Sequence, residues 1–554
     1  MQALLQYRRI GAAAQAQLDR AAEKQDGSWP GPDSGSQHHV DSSVVVLEES
    51  PSPSAAHTPP PETGGGEASL GPVLTGVSIR NRMHHGDQVF VLGWAGQDDP
   101  LMPHNWSVGT RVGVTLQLAL IGLVLTAASG IDATVLPQAA SDLGVSQVAE
   151  SLATGLYLAG MGIGCLVAGP FSETFGRVAV YGVALVIFMI FIMASALAPN
   201  FGAQITFRFL AGCCASTPLV CTGGSIADMF NSLEKTWSFP LYAIPSFMGP
   251  MLGAVMGAYI GPSTAVDWRW VEWTMLLASG LVLCMVLLCM PETYGPVLLQ
   301  WKAAHYRRIT GDDRFRCEHE IMDATLWSRL KVSMTRPFVM LAEPIILAMT
   351  LYITVIYIVL FTFLVGWPYI FEFTYGISQG LSNTIFVSML IGTELNLFLV
   401  PLVYRMTTKR FGDGAGSFQP EIRLWYGVFG AAVAIPVSLF WLGWTNYASI
   451  SIWSAVLAVA LFGYGVMGIF LCVYMYIIDS YETSSASALT FVALVRYLAA
   501  GGMTAAGIPW YESMGTHYTL TVLACVAAAL VPIPYLLYFY GHKLRSKSKY
   551  AVEY

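Results

Sequence analysis

The sequence is poor in charged residues. Only 11% of its 554 residues are Asp, Glu, Lys or Arg, whereas 55% are hydrophobic. Soluble domains carry about 25% charged residues, so the composition excludes an ordinary soluble protein and indicates a membrane protein. The nine cysteines contain no CxxC pair and mostly fall in apolar runs, which implies neither a disulfide framework nor a metal site. The sequence also lacks the Gly-x-x-x-x-Gly-Lys-Ser/Thr loop of ATP-driven transporters and a Ser/His/Asp arrangement, so we expect no enzyme and no cofactor.

The N-terminal region has no apolar core that would serve as a secretory signal. Residues 1–25 alternate Ala, Gln and charges and indicate, weakly, a short amphipathic helix. From Asp26 to about Gly93 the chain is rich in Ser, Pro, Gly and His. Because such a composition cannot bury a core, we predict a disordered cytoplasmic region over residues 1–108.

Twelve apolar stretches follow, each long enough for the about 20 residues that cross a bilayer. The weakest candidates are the fourth and the eighth, which contain Arg208 and Glu394. The predicted starts lie near Val112, Ser151, Val178, Ala203, Ser238, Val271, Leu341, Leu381, Leu424, Ile450, Ser485 and Thr519.

The basic residues give the predicted orientation. An even number of spans puts both termini on one side of the membrane. Of the 28 Lys and Arg residues, Arg208 and Arg496 lie within spans, and only Arg269 falls on the side opposite the termini. This is the positive-inside bias of cytoplasmic segments, so both termini are predicted to be cytoplasmic.

The longest inner loop divides the spans into two sets of six. We predict a six-helix bundle over residues 109–299, a cytoplasmic linker over 300–340, a second six-helix bundle over 341–541 and a cytoplasmic tail over 542–554. Two bundles joined by a linker are typical of transporters whose halves rock around a site near the bilayer midplane. The number of spans argues against a receptor, and the division into halves against a channel.

Three glycines four residues apart, Gly249, Gly253 and Gly257, form a ladder in the fifth span, with Pro250 among them. Residues four apart share one helix face, so a neighbouring backbone can pack directly against this face. Pro250 removes one backbone donor and favours a bend. The ladder therefore predicts a tight helix–helix seam.

Two further motifs follow the second span and open the fourth. The stretch Gly169-Pro-Phe-Ser-Glu-Thr-Phe-Gly-Arg177 indicates a tight turn, in which Glu173 and Arg177 cap helix ends or pair across the interface between the halves, and Gly176 permits the return. Taken alone, it is equally well read as a capped turn. The fourth span contains Arg208-Phe-Leu-Ala-Gly212.

In their order and placement these motifs resemble those of the major facilitator superfamily, and specifically the fungal twelve-span drug:proton antiporter family. The resemblance covers about residues 97–547 and includes Pro291-Glu-Thr-Tyr-Gly295 after the sixth span, Glu343-Pro344 at the seventh and Pro420-Glu-Ile-Arg423 before the ninth. It implies an all-α membrane protein of the major facilitator fold that exports drugs, polyamines or secondary metabolites. It also implies that the fifth span faces the other half, so that the ladder becomes a gate surface.

Ionisable residues inside spans are functional candidates, since each costs at least ~2.5–3.5 kcal/mol at bilayer depth. Arg208 would attract an anionic substrate group, tune a carboxylate, or bond interhelical carbonyls. Glu394 would carry the proton, pair with a cationic substrate, or form a protonated, hydrogen-bonded helix contact. Arg496 would pair with Glu394 or Glu343. For Asp132 and Asp228 solvation at a helix end is the favoured interpretation, and Glu343 resembles a helix start.

Aromatic residues are frequent in the seventh and tenth spans. They would suit a cavity for planar apolar or amphipathic compounds or for cations, although most are better explained as lipid-facing residues or interface belts. They are Tyr352, Tyr357, Phe361, Phe363, Trp367, Tyr369, Phe371, Tyr464, Tyr474 and Tyr476.

We therefore expect a monomeric, proton-coupled exporter of a small organic compound, such as a fungal secondary metabolite, toxin or drug. Its expected partners are the small-molecule substrate, protons and the lipid bilayer, with no nucleic acid, and its expected location is the cell membrane or the vacuolar membrane. The alternatives are a polyamine transporter, which would need several acidic residues in its cavity, nutrient uptake by the same fold, and a non-transporting nutrient sensor.

Overall fold

Long apolar helices make up most of the chain. The computed structural model describes residues 1–24, 77–81, 88–321, 326–412 and 419–551. Eleven segments of this part are long and apolar enough to cross a membrane: Val108–Thr134, Gln147–Phe175, Arg177–Ala196, Phe201–Met229, Lys235–Ile260, Trp270–Cys289, Pro344–Val365, Gln379–Lys409, Pro420–Thr445, Ile452–Tyr481 and Ser485–Arg545.

The last segment contains two crossings. It has 61 residues, about three times the number that one crossing needs. At Gly515 the backbone leaves the helical region, with φ 75° and ψ 169°, and the Thr519 hydroxyl donates back to the Trp510 carbonyl at 3.2 Å. Residues 485–514 and 516–545 are thus separate spans, and the twelve predicted spans are confirmed.

Most spans are continuous helices, and each begins within a few residues of its predicted start. The eighth is divided into Gln379–Thr384, Phe386–Glu394 and Leu399–Gly412, and the ninth has its regular part at Ala432–Thr445 after a break at Gly430, where φ is 98°. A short helix, Leu136–Leu143, follows span 1, and another, Leu326–Val339, precedes span 7.

The twelve spans, numbered in chain order, form two halves, spans 1–6 and spans 7–12. In the first half span 2 packs along span 4 and span 1 along span 5; in the second, span 8 packs along span 10 and span 7 along span 11. Between the halves, span 2 contacts span 11 and span 5 contacts span 8. We call the side on which spans 6 and 7 are joined the linker side and the opposite side the far side.

A second compact unit is built from residues Leu4–Met102 and Gly295–Asp323. Its helices are Gln2–Lys24, Gly295–Thr310 and Glu318–Ile321, and its strands are β1 (Val77–Asn81), β2 (Gln88–Leu92) and β3 (Phe315–Cys317). β1 is antiparallel to β2, with Ile79 opposite Phe90, and β2 is parallel to β3, with Phe90 opposite Phe315.

This unit corrects the prediction of disorder for the parts of residues 1–108 that the structure describes. Phe90, Phe315, Tyr306 and Cys317 are buried in a common apolar cluster. Burial lowers the pKa of Lys302, whose ammonium donates to the Gly93 carbonyl at 3.1 Å. The apolar partners of β2 come from the linker, so local composition did not reveal them. The short helix indicated near the N-terminus is confirmed, Cys317 lies in a buried strand instead of a polar loop, and residues 25–76 and 82–87 lie outside the described part.

Candidate functional site

A cavity of about 640 Å³ lies between the two halves. Its lining includes residues at the linker-side ends of spans 5, 10 and 11, namely Lys235, Asp479 and Ser485. On the far side the halves touch, because the Tyr259 and Thr384 hydroxyls hydrogen-bond at 2.9 Å. The volume falls within the roughly 300–1,000 Å³ of small-molecule sites.

Arg496 of span 11 lies in this cavity within a box of aromatic rings. Its guanidinium carbon is 4.4 Å from the ring centroid of Tyr357, 4.5 Å from that of Tyr497, 5.1 Å from that of Tyr474 and 5.5 Å from that of Phe470. The residue is only 4% exposed. In the described part of the chain no carboxylate forms a salt bridge with it, so the predicted pairing of Arg496 with Glu394 or Glu343 is wrong.

A second buried arginine, Arg208 of span 4, lies at the far side of the first half. It pairs with Asp132, at the end of span 1, and its Nε lies 3.4 Å from Glu272 Oε1 of span 6. All three side chains are at most 4% exposed. Asp132 is therefore not a solvated helix end: the ends of spans 1, 4 and 6 converge and bring the carboxylates to the arginine.

Polar contacts extend this cluster to spans 2 and 3. Ser195 donates to Glu272 Oε1 at 2.8 Å, and Gln204 Nε2 donates to Glu150 Oε1 at 2.8 Å. The Tyr157 ring lies 5.2 Å from the Arg208 guanidinium carbon. We call Asp132, Glu150, Gln204, Arg208 and Glu272 the far-side cluster. It holds three carboxylates and one cation.

The turn between spans 2 and 3 is joined to span 4 and to the segment just after span 6 by contacts of Arg177 with carboxylates. Gly176 has φ 88°, a conformation that favours glycine, and it lets span 3 begin directly at Arg177. Arg177 Nε donates to Asp228 of span 4 at 3.2 Å, and its backbone N–H donates to Glu292 at 3.0 Å. Asp228 is thus an ion-pair partner and not simply a solvated helix end.

Glu173 of the same turn is exposed, and its side chain forms no ion pair with any residue that the structure describes, so the predicted pairing is not seen. Its backbone carbonyl accepts from Arg329 Nη1 at 3.1 Å. Arg329 belongs to the helix Leu326–Val339, which packs against span 2. The backbone of the turn therefore contacts the segment that leads into the second half.

The glycine ladder of span 5 packs against span 1 of the same half. A Cβ atom at Gly253 would collide with the Ala127 carbonyl oxygen, one at Gly249 would lie 2.5 Å from the Leu123 carbonyl oxygen, and one at Gly257 2.6 Å from that of Ile131. The predicted tight seam is present. Span 5 contacts span 8 of the other half, as the resemblance implied, but the ladder itself packs against span 1, so the inference that the ladder is the surface facing the other half is wrong. The helix continues through Pro250, which lines the cavity.

Arg423 connects the two halves on the linker side. It is fully buried and donates to Asp479 Oδ2, to the Thr236 hydroxyl and to the Ser232 carbonyl, each at 2.5 Å. Asp479 belongs to span 10, whereas Thr236 lies at the start of span 5 and Ser232 just before it. One guanidinium thus joins the halves beside the cavity.

Comparison with known proteins identifies the architecture. The sequence pattern of the Major Facilitator Superfamily matches residues 118–505. This chain belongs to the Major Facilitator Superfamily.

Related superfamily members include fungal transporters. The chain is 46% identical over 486 residues to the MFS-type transporter kojT of Aspergillus flavus, covering 86% of each chain. It is 30% identical over 471 residues to the efflux pump radE of Floropilus chiversii, covering 84% of this chain and 86% of the pump. The E. coli proton:xylose symporter XylE has the same fold, with a TM-score of 0.58, 14% identity and coverage of 78% of this chain and 96% of XylE.

Two acidic candidates, Glu394 and Glu343, lie outside both the cavity and the far-side cluster. Glu394 is half-buried on span 8 and does not line the cavity, and the neighbouring Ile391 and Leu395 are exposed on the outside of the bundle. Its role as proton carrier stays a prediction. Glu343 begins span 7 ahead of Pro344, as its sequence indicated, and accepts from Tyr481 and Ser548 at 3.3 and 2.5 Å.

Sequence reasoning missed four residues, Glu150, Glu272, Arg423 and Asp479. Each lies near the end of a span, where an isolated charge is usually solvated. A usable signal was the placement of Asp132, Glu150, Arg208 and Glu272 on one side of the predicted bundle. Their convergence depends on how the ends of spans 1, 2, 4 and 6 meet in the folded bundle, which the position of each charge along the chain does not show.

The aromatic residues divide into two groups. Tyr357, Phe361 and Tyr474 line the cavity of this transporter. Most of the others are packed between helices instead of facing lipid: Tyr352, Phe363, Trp367, Phe371 and Tyr476 are buried.

Proposed function

We propose that this superfamily member is a proton-coupled efflux transporter that exports a small organic compound by alternating access. The observation that carries the proposal is the excess of carboxylates over cations in the far-side cluster. Asp132 and Glu272 are buried against a single Arg208, with Glu150 close by. Uncompensated buried charge is costly, so one bound proton makes the Asp132–Arg208–Glu272 group neutral.

A proton that binds and leaves this group would couple to movement of the spans. Asp132, Arg208 and Glu272 come from the ends of three spans, so the ion pairs hold those ends together. Changing the charge at Asp132 changes the balance between two arrangements of the half, which is what coupling to a gradient requires. The efflux-pump name of a relative supports the outward direction.

A polyamine cargo receives less support from the cavity. The carboxylates among its lining residues are Asp479 and Glu482, near the linker side, and Asp479 is paired with Arg423. The cation Arg496 lies among the central aromatic rings. A polycationic substrate would meet a like charge there without acidic partners.

The test uses cells that express the chain and a panel of small aromatic compounds, with and without a protonophore. We expect the wild type to lower accumulation of some of these compounds only when the proton gradient is intact. Asp132→Asn is expected to reach the membrane but to lose this gradient-driven lowering, since the proton-accepting group is removed.

Asp142→Asn is the matched control, because Asp142 lies on the same side in an exposed setting, 3.1 Å from Arg269. It is expected to behave as the wild type. Full gradient-driven efflux by Asp132→Asn would contradict the assignment of the proton to the far-side cluster. Facilitated flux in proteoliposomes would separate a transporter from a nutrient sensor.

A further inference from the structure

The setting of Arg496 lacks an internal counter-charge. A buried arginine is stable when carboxylates or other acceptors compensate its lost hydration. Around Arg496, the described part of the chain places no carboxylate within salt-bridge distance, and Nε and Nη1 have no hydrogen-bond acceptor. Because Arg496 lines the cavity, an anion bound in the cavity would reach it.

The surrounding rings extend this cationic centre into an apolar wall. Phe470 and Tyr474 stack with ring centroids 4.4 Å apart, Phe247 lies 5.6 Å from Phe470, and Tyr357 lies edge-on to Tyr497 at 5.8 Å. Such rings offer faces and edges to a planar ligand. The tyrosine hydroxyls add donors for a negatively charged oxygen.

Guanidinium geometry defines the kind of anion. The planar fork of arginine matches the two oxygens of a carboxylate, and a charge-assisted bond is about twice as strong as a neutral one. Attraction by the ring faces holds the cation in place but leaves donor hydrogens available.

We propose that Arg496, with Tyr357, Phe470, Tyr474 and Tyr497, forms a binding subsite for a planar aromatic or conjugated organic anion. The anionic oxygens contact the guanidinium, and the apolar body lies against the rings. This inference rests on the proposed function, since it names the chemical class of the exported compound.

The experiment measures equilibrium binding to the purified full-length chain in lipid nanodiscs, without any proton gradient. Three probes of the same shape but different charge are compared by equilibrium dialysis: cinnamate, cinnamamide and cinnamylamine. For the wild type we expect cinnamate to bind about ten-fold or more tightly than the neutral amide, and the amine to bind most weakly.

Arg496→Gln is expected to bind cinnamate about ten-fold or more weakly and to leave cinnamamide within about three-fold, because only the charge-assisted contact is lost. Arg496→Lys should retain part of the preference, since it keeps the charge but not the fork. Arg269→Gln, which removes an arginine from an exposed far-side loop, is the matched control and should bind like the wild type.

Equal binding of the acid and the amide by the wild type, no binding of cinnamate, or unchanged discrimination in Arg496→Gln would overturn the proposal. The comparison of the three probes on the wild type needs no variant, so it remains decisive if Arg496→Gln does not fold. Because no gradient is present, anion-selective binding without gradient-driven efflux would reject only the proposed function. Gradient-driven efflux without anion selectivity would reject only the subsite.

Discussion

Arg208 in the first half and Arg496 in the second are both buried, and their charges are compensated in opposite ways. Arg208 is 0% exposed and Arg496 4% exposed. Arg208 contacts the carboxylates Asp132 and Glu272 from neighbouring spans. Arg496 contacts aromatic rings, and within the described ranges no acidic side chain pairs with it.

The difference separates two tasks that one charged site does not readily combine. In the far-side cluster two carboxylates face Arg208 and leave one negative charge that a proton would neutralise, so this cluster would exchange a proton without a substrate. The positive charge of Arg496 is surrounded by aromatic rings and has no carboxylate partner among the described residues, so a bound anion would stabilise it. Because the far-side cluster residues do not line the cavity, substrate and proton would act on each other through movement of the spans instead of direct contact.

The largest expected effect tests this contrast through stability. Arg208→Met is expected to lower the free energy of unfolding by about 3–5 kcal/mol, because Asp132 and Glu272 are left buried without their cation. Arg496→Met, the matched change in the other half, is expected to cost at most about 2 kcal/mol, since it removes ring contacts but isolates no carboxylate. Denaturant unfolding of the purified proteins in mixed micelles measures both losses.

A double variant sharpens the result. Adding Glu272→Gln to Arg208→Met removes one unpaired charge and should recover part of the lost stability. Equal losses for the two single variants would show that the carboxylates do not distinguish the two arginines.

The sequence was sufficient to predict the number of spans and their positions along the chain, but not which of their charged residues pair. Hydrophobic length and the positions of turns locate each helix, and these are local properties. Arg208 and Arg496 were recognised as buried charges for the same reason. Which side chain meets Arg208 depends on three spans far apart in sequence, and the predicted Glu394–Arg496 pair was wrong because span 8 directs Glu394 away from the cavity.

The glycine ladder shows the same limit on a smaller scale. Spacing predicted a side-chain-free face on span 5, and the structure confirms close packing there. Which helix packs against this face depends on how the spans are arranged in three dimensions. The resemblance implied a partner in the other half, whereas the structure has span 1 of the same half. The small unit formed by β2 and β3 was missed for a related reason, since its strands come from opposite sides of the first six spans.

The next largest expected effect comes from placing a larger side chain in the seam between spans 5 and 1. Gly253→Leu is expected to lower the free energy of unfolding by about 1–3 kcal/mol and to reduce transport, because its side chain would collide with the backbone of span 1 at Ala127. Gly502→Leu on span 11 is the matched control: no atom of the described residues lies within 4 Å of a Cβ there, and the change should stay within about 0.5 kcal/mol. Unfolding and efflux are measured on both, and unchanged values for Gly253→Leu would mean that the seam is not tight.

The smallest expected effect belongs to Glu394→Gln. From the sequence, Glu394 is a candidate proton carrier. Its position on span 8, beside the exposed Leu395 and away from the cavity, leads us to expect a small effect instead. No ion pair joins it to another described residue, so neutralising it isolates no cation. Efflux by Glu394→Gln should remain within about two-fold of the wild type, as for surface substitutions with no partner, whereas Asp132→Asn should lose gradient-driven efflux. The opposite ranking in the accumulation assay would move the proton from the first half to span 8, and the contrast between the two halves would then fail.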